Sequence, residues 1–292
     1  MYSQVLLLPL LQHPLLIRVD CVFFDGTSAY VQTPFYPQGD LQLWLFGPAL
    51  PPPAVGAPPP APPRVLRSEM EICTMLRQVL QALVHMHAHN VFHRDVKLTN
   101  VLVGDDGSPV LCDFGVSKMH AGLTMAAVAS AVTTAVQGSL TLAYAAPEVI
   151  RQEAQARGGE WADVYSFGVC LWVATWGKLP TRDPATHCLS SSSKAQLRGG
   201  GGNVHDLLQK LLADKPSDRP SADQALLHRY FSDTHEVSLK VYGCWPSPLP
   251  LTLTVLLRWL SSTLALSSTS RLRAPSPTPR AARSSKCLMC KC

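Results

Sequence analysis

The stretch His93-Arg94-Asp95-Val96-Lys97-Leu98-Thr99-Asn100 decides how the rest of the sequence is read. Asp113-Phe114-Gly115 follows it, and Ala146-Pro147-Glu148 closes the set. Any one of these strings arises readily by chance; three in this order, with a predicted hairpin between the first two, do not. That hairpin is expected from two short apolar strands, Val101 to Val103 and Val110 to Cys112, around the turn residues Asp105-Asp106-Gly107. Upstream, residues 68–89 predict a helix. Ser68 is its N-cap with Glu71 three residues on, and Ile72, Met75, Leu76, Val79, Leu80 and Leu83 keep helical spacing. Downstream, Asp163 to Thr175 is apolar almost all round and predicts a buried helix. Leu207 to Leu212 and Ala222 to Leu227 predict two shorter ones, and Gly199 to Gly202 a connection.

Toward the front, residues 4–19 predict a short helix running into a strand, with His13-Pro14 as the break. Val19 to Val31 predicts two strands around Asp25-Gly26-Thr27. Nine prolines in residues 48–63 exclude helix and central strand there. Such a segment is either a solvated polyproline linker or an SH3 or WW ligand. After about residue 235 the pattern fades, and residues 233–292 are expected to be a low-complexity tail without fixed order.

The chain has 292 residues, is 47% hydrophobic and carries a formal charge of +5. The excess sits at the end: Arg271, Arg273, Arg280, Arg283, Lys286 and Lys291 come with no acidic residue among them. The body is close to neutral, so no nucleic-acid partner is expected. Nine cysteines without framework spacing suit a reducing, cytoplasmic setting. The apolar run Val5 to Leu11 lacks a preceding basic residue and a cleavage site, so secretion is not expected. Leu249 to Leu266 contains Pro250 and Arg258, and a central Arg costs about 2.5–3.5 kcal/mol on insertion, so no membrane span is expected. Cys287, Cys290 and Cys292 fall short of the four ligands that a zinc site wants.

The three strings resemble the catalytic loop, the metal-binding triplet and the end of the activation segment of eukaryotic-type protein kinases. The resemblance covers residues 4–232, with 48–63 as an insertion. It implies an α+β, protein kinase-like fold: residues 1–47 as a partial N-lobe with C-helix, two strands and hinge, and 64–232 as a mostly helical C-lobe. Lys97, and Thr141 before Ala146, match the Ser/Thr pattern, and Asp163-Val164-Tyr165-Ser166-Phe167-Gly168 is similar to the tyrosine-kinase-like branch of Ser/Thr kinases. The implied reaction moves the γ-phosphoryl group of ATP, with Mg²⁺, to Ser/Thr hydroxyls of a protein substrate.

By this resemblance Asp95 accepts the proton of the substrate hydroxyl and Lys97 sits beside the transferred phosphate. Asn100 ligates one Mg²⁺ and Asp113 the other. Thr33 is the gatekeeper, Pro34 and Tyr36 supply hinge contacts to adenine, and Leu102 is the apolar floor beneath it. Pro34 has no N–H, so its contact is through the carbonyl. Asp163 resembles the buried carboxylate that clamps the catalytic-loop backbone, and Arg219 the basic partner of Glu148. Arg94 resembles the arginine that pairs with a phosphate on the activation segment, for which Thr133 and Thr134 are candidates. The sequence shows no Gly-rich phosphate loop and no Val-Ala-Ile-Lys strand, and the C-helix Glu position falls on Gln4. These features imply an N-terminally truncated kinase chain; the alternative is an inactive pseudokinase acting as a scaffold.

Overall fold

In the computed structural model, the Ser68 hydroxyl accepts the amide of Glu71 at 3.3 Å, and Glu71 returns the bond to the Ser68 amide at 2.8 Å. This reciprocal cap starts helix α2 (Glu69–Ala88), as its sequence predicts. The structure describes residues 11–25, 28–48, 65–114, 117–119, 139–153, 159–232 and 288–291. All belong to one unit, Met1–His235 with Leu288–Cys292; a second, Glu236–Cys287, contains none of them.

The chain enters through an antiparallel pair, β1 (Cys21–Asp25) and β2 (Ser28–Thr33), with Asp25 opposite Ser28. Residues before it differ from expectation. Instead of a strand near residue 16, Leu16 makes a single parallel bridge to Leu111, fastened by Ile17 N to Leu111 O and Leu111 N to Leu15 O, each 2.9 Å. The amides are spent on docking to a neighbouring hairpin rather than on extending a ladder. The helix expected from residue 4 lies outside the described residues. Of the tail expected to lack order, Leu288–Lys291 is a strand on the other edge of β2, and the rest is outside the described residues, as is nearly all of the proline-rich segment.

A turn then leads into α1 (Leu41–Phe46), capped by Asp40, whose side chain accepts the Leu43 amide. Helix α2 buries Ile72, Met75, Leu76, Val79, Leu80, Leu83 and Met86. Beyond it come β3 (Val91–Phe92), a 3₁₀ turn at Leu98–Asn100, and the hairpin of β4 (Val101–Val103) and β5 (Pro109–Leu111). Gly107, at φ +78°, makes the hairpin turn, a conformation that favours glycine. Strand β6 (Lys118–Met119) pairs with β3.

The remaining elements are helical: α3 (Ser139–Tyr144), α4 (Pro147–Ile150), α5 (Glu160–Trp176), α6 (Ser191–Gly199), α7 (Asn203–Leu211), α8 (Ala222–Leu226) and α9 (Arg229–Ser232). Helix α5 is buried on every side from Ala162 to Ala174 and ends at Gly177 in the left-handed region. A Cβ at its Gly168 would stand 2.9 Å from Leu211 Cβ, so the missing side chain is what admits α7 this close. The core gathers α2, α5 and α7 with the β4–β5 hairpin at one end. Helices dominate and the sheets are small, in keeping with the α+β expectation.

Candidate active site

The loop His93–Asn100 hangs between the C-terminal end of α2, the first turn of α5 and the β4–β5 hairpin. Its anchor is Asp163 of α5, fully buried. Asp163 Oδ2 accepts the His93 amide at 2.8 Å and His87 Nε2 at 2.9 Å; Oδ1 accepts the Arg94 amide at 2.7 Å. A buried carboxylate is costly unless hydrogen-bonded, and here three donors meet it. They hold a strained backbone, because Arg94 stands at φ +68°, a conformation that costs about 1–3 kcal/mol outside glycine. The fully buried His93 adds a second tie. Its Nδ1 accepts the Asp95 amide at 3.3 Å, which leaves the proton on Nε2 to donate to the Cys112 carbonyl at 2.9 Å. The Ser117 hydroxyl donates to the His93 carbonyl at 3.1 Å.

Held in this way, the loop presents its polar side chains together. Asp95 Oδ2 accepts Lys97 Nζ at 2.6 Å and Asn100 Nδ2 at 3.0 Å, and the same amide nitrogen reaches the Asp95 carbonyl at 2.9 Å. Among the described residues, Asp95 Oδ1 and Asn100 Oδ1 take part in none of these bonds. The Cys112 amide donates to the Asn100 carbonyl at 2.8 Å, which sets Asp113 one residue beyond the hairpin end that bears Asn100. Asp113 is exposed, at φ +62°, while the next residue, Phe114, is fully buried with its ring 5.1 Å from His93. A carboxylate and an amide oxygen at one hairpin end are hard donors of the kind Mg²⁺ prefers. Gly115 lies outside the described residues.

The expected adenine contacts are tied to the same hairpin. Thr33 ends β2, and Thr33, Pro34 and Tyr36 are half-buried. Residues 38–40 lace onto β4: Gln38 Nε2 donates to Gly104 O, Val103 N to Gly39 O, and Asp40 bridges Leu102. Tyr36 and Leu102 both pack against the core, and burial pushes the Tyr36 phenol above its ordinary range. Behind the site, Arg219 grips Glu148 through Nη1 to Oε1 at 2.7 Å and Nη2 to Oε2 at 2.9 Å, both side chains buried. Arg219 also donates to the carbonyls of Ala213, Trp161 and Asp214.

Sequence reasoning missed His87 and Ser117. A signal for His87 was present: positions 76, 80, 83 and 87 share one face of α2, and a histidine closing an apolar stripe asks for a buried partner. Ser117 had none. The side chains of Gln4, Thr133, Thr134 and Thr141 lie outside the described residues.

The comparisons with known proteins agree with this geometry. The family model for the protein kinase domain matches residues 1–231. The chain is 31% identical over 192 residues to serine/threonine-protein kinase fray1 of Dictyostelium discoideum, covering 61% of this chain and 32% of that protein. It is 28% identical over 274 residues to mitogen-activated protein kinase kinase kinase ANP1 of Arabidopsis thaliana, covering 85% and 35%. With serine/threonine-protein kinase PLK4 of Drosophila grimshawi it shares 26% identity over 247 residues, covering 81% and 28%. The chain thus spans about a third of the length of these relatives. With its fold, its clamped loop and its relatives in agreement, the chain belongs to the protein kinase domain family.

Proposed function

We propose that this chain carries the phosphotransfer machinery of a Ser/Thr protein kinase, moving the γ-phosphoryl group of Mg·ATP to a protein Ser or Thr hydroxyl. The observation that carries the reading is the Asp95–Lys97–Asn100 cluster on a loop whose strained backbone is held by Asp163. Phosphoryl transfer needs positioning and charge compensation more than covalent chemistry. Asp95 Oδ1 accepts the hydrogen bond of the incoming hydroxyl and orients it in line. Lys97, already beside Asp95, supplies a positive point charge where negative charge spreads in the transition state. Asn100 Oδ1 and Asp113 suit two Mg²⁺ ions, which would neutralise the phosphate oxygens when bound. Thr33, Pro34, Tyr36 and Leu102 line the side from which adenine would enter.

A cytoplasmic setting belongs to the same proposal, supported by thiols such as Cys21, Cys170 and Cys188 that carry no disulfide. The test is phosphorylation of a mixed Ser/Thr peptide library by the full chain, set against Asp95→Asn. Loss of a positioned carboxylate lowers turnover by at least about 100-fold. Equal turnover by the two proteins refutes the role of Asp95. No turnover by the unaltered chain, with protein partners still bound, favours the non-catalytic scaffold instead.

A further inference from the structure

The hairpin of β1 and β2 leads into the residues expected to meet adenine, and a two-stranded hairpin is marginal in water by itself. It gains a third strand from far along the chain, β7 (Leu288–Lys291). Strand β7 runs antiparallel to β2, with Thr33 opposite Leu288, Gln32 opposite Met289, Val31 opposite Cys290 and Tyr30 opposite Lys291. Strand β2 thus lies in the middle, with β1 on one edge and β7 on the other.

The register decides which groups β7 holds. Gln32 turns its carbonyl to the β1 side, where it accepts the Asp20 amide at 2.9 Å. Successive residues of a strand turn their amides and carbonyls to opposite neighbours, so Tyr30 and Gln32 bond on the β1 side and Val31 and Thr33 on the β7 side. Thr33 is the last residue of β2, and Pro34 after it has no N–H with which to extend a ladder. Fixing the backbone of Thr33 therefore falls to β7. Left open, this edge of β2 would be a template for any extended segment. The segment Leu288–Lys291 holds no proline, so each of its amides is available to a ladder. The cost of closing a loop grows only slowly with its length, so the chain between residues 233 and 287 is no bar to docking in cis.

We propose that the edge of β2 away from β1 is a docking site for this chain's own strand Leu288–Lys291, and that β7 is a positioning element for the nucleotide, holding Thr33 in place ahead of Pro34 and Tyr36. The positioning role rests on the kinase reading; the docking does not.

Proline substitutions in the full chain separate the two edges of β7. Cys290 stands opposite Val31, so its amide points at β2 and Cys290→Pro removes it; the amide of Met289 points away, so Met289→Pro leaves the ladder intact. Cys290→Ala keeps the amide and controls for the thiol. Hydrogen exchange, read amide by amide, is expected to rise about tenfold at Val31 and Thr33 in Cys290→Pro and much less in the other two variants. Tyr30 and Gln32, held by β1, change less, and unchanged α2 amides show that the fold stands. Mg·ADP, titrated by calorimetry, is expected to bind about tenfold more weakly to Cys290→Pro than to Met289→Pro. Equal exchange at Val31 and Thr33 in the two proline variants overturns the docking. Protection that falls on dilution of the unaltered chain, with a dimer in sedimentation, places the strand in a second copy and overturns docking in cis. Changed exchange with equal Mg·ADP affinity overturns the positioning role. If the unaltered chain binds no Mg·ADP, the positioning role falls together with the kinase reading, and the exchange result alone decides the docking.

Discussion

Replacing Asp163 by Asn keeps the shape of the side chain and removes one acceptor and the charge. Of the two orientations open to the amide, the better one leaves oxygen at the Oδ2 position, where it still accepts His93 N and His87 Nε2. The NH₂ group then faces the Arg94 amide, a donor against a donor, where the native bond is 2.7 Å. A hydrogen bond to a charged group contributes about 1.5–3 kcal/mol and a neutral one about 0.5–1.5. Two bonds weakened by about 1 kcal/mol each and one lost give about 3–5 kcal/mol, less what the neutral amide recovers in desolvation. A net loss of about 2–4 kcal/mol is expected, a large share of a domain stability of about 5–15 kcal/mol. The strain at Arg94, φ +68°, is released at the same time, so the loop is expected to leave its conformation before the domain unfolds. Urea unfolding of the full chain, followed by the fluorescence of Trp161, Trp172 and Trp176 on α5, measures the first effect. Hydrogen exchange at residues 93–96 measures the second. A loss below about 0.5 kcal/mol together with unchanged exchange at Arg94 would refute the clamp.

Two further outcomes are expected. Arg219→Ala leaves Glu148 buried without its partner and costs about 3–5 kcal/mol in urea unfolding, whereas replacing both residues by apolar ones of similar volume recovers most of it; equal costs for the single and double changes would contradict the reading. The second concerns pH. His13 stacks on His85 at 4.6 Å and the His89 ring lies tilted against His85 at 4.5 Å, and burial, with the His85 ring second, pushes His13 down to about 4. Burial, with the His89 ring second, lowers His85 as well. Below its unfolded value of 6.5 the unfolded chain takes up the proton first, so this stability is complete above that pH and is lost as pH falls toward 4. The full shift is about 3 kcal/mol, and solvent screening of the half-exposed ring reduces it to about half. His13→Asn is expected to flatten the decline in melting temperature between pH 7 and pH 4, and a slope equal to that of the unaltered chain would rule the stack out.

What was legible in the sequence was what is local. Helix α2 could be read from Ser68 and Glu71 because both halves of its cap lie within one turn. Asp95, Lys97 and Asn100 could be read as one cluster because a single loop brings them together. The hairpin was displaced by one residue: β5 runs from Pro109 to Leu111, since a strand's first residue needs no N–H in the ladder. Short helices escaped for the same reason that they exist. Helix α4 has four residues with Pro147 in its first turn, and α1 has six between a turn and a proline run, so neither shows a period. The partnerships of His87 with Asp163, 76 positions apart, and of Arg182 with Ala143, 39 apart, depend on how helices pack and leave no mark along the chain.

The packing explains why three short strings need a whole domain around them. Arg94 and Asp113 sit at positive φ, which an isolated chain would abandon, and they belong to the first two strings. The third string carries a glutamate that cannot be buried alone. Helix α5 answers most of these demands. Asp163 holds the first string, Tyr165 receives Arg219, which holds the third, and Gly168 brings α7 close enough to close the core behind them. Asp163 and Tyr165 stand two residues apart on the helix and point to nearly opposite sides, while Gly168, three beyond Tyr165, lies on the Tyr165 side one turn further along, where α7 packs. A helix serving several elements at once has no solvent side, which is why its sequence is apolar throughout instead of striped. The same property makes it the backstop of the site: a shift of α5 moves the candidate base, through Asp163, and the Glu148 segment, through Tyr165, together. Substitutions on α5 that preserve stability but loosen its position are therefore expected to disturb the candidate base and the Glu148 segment in concert.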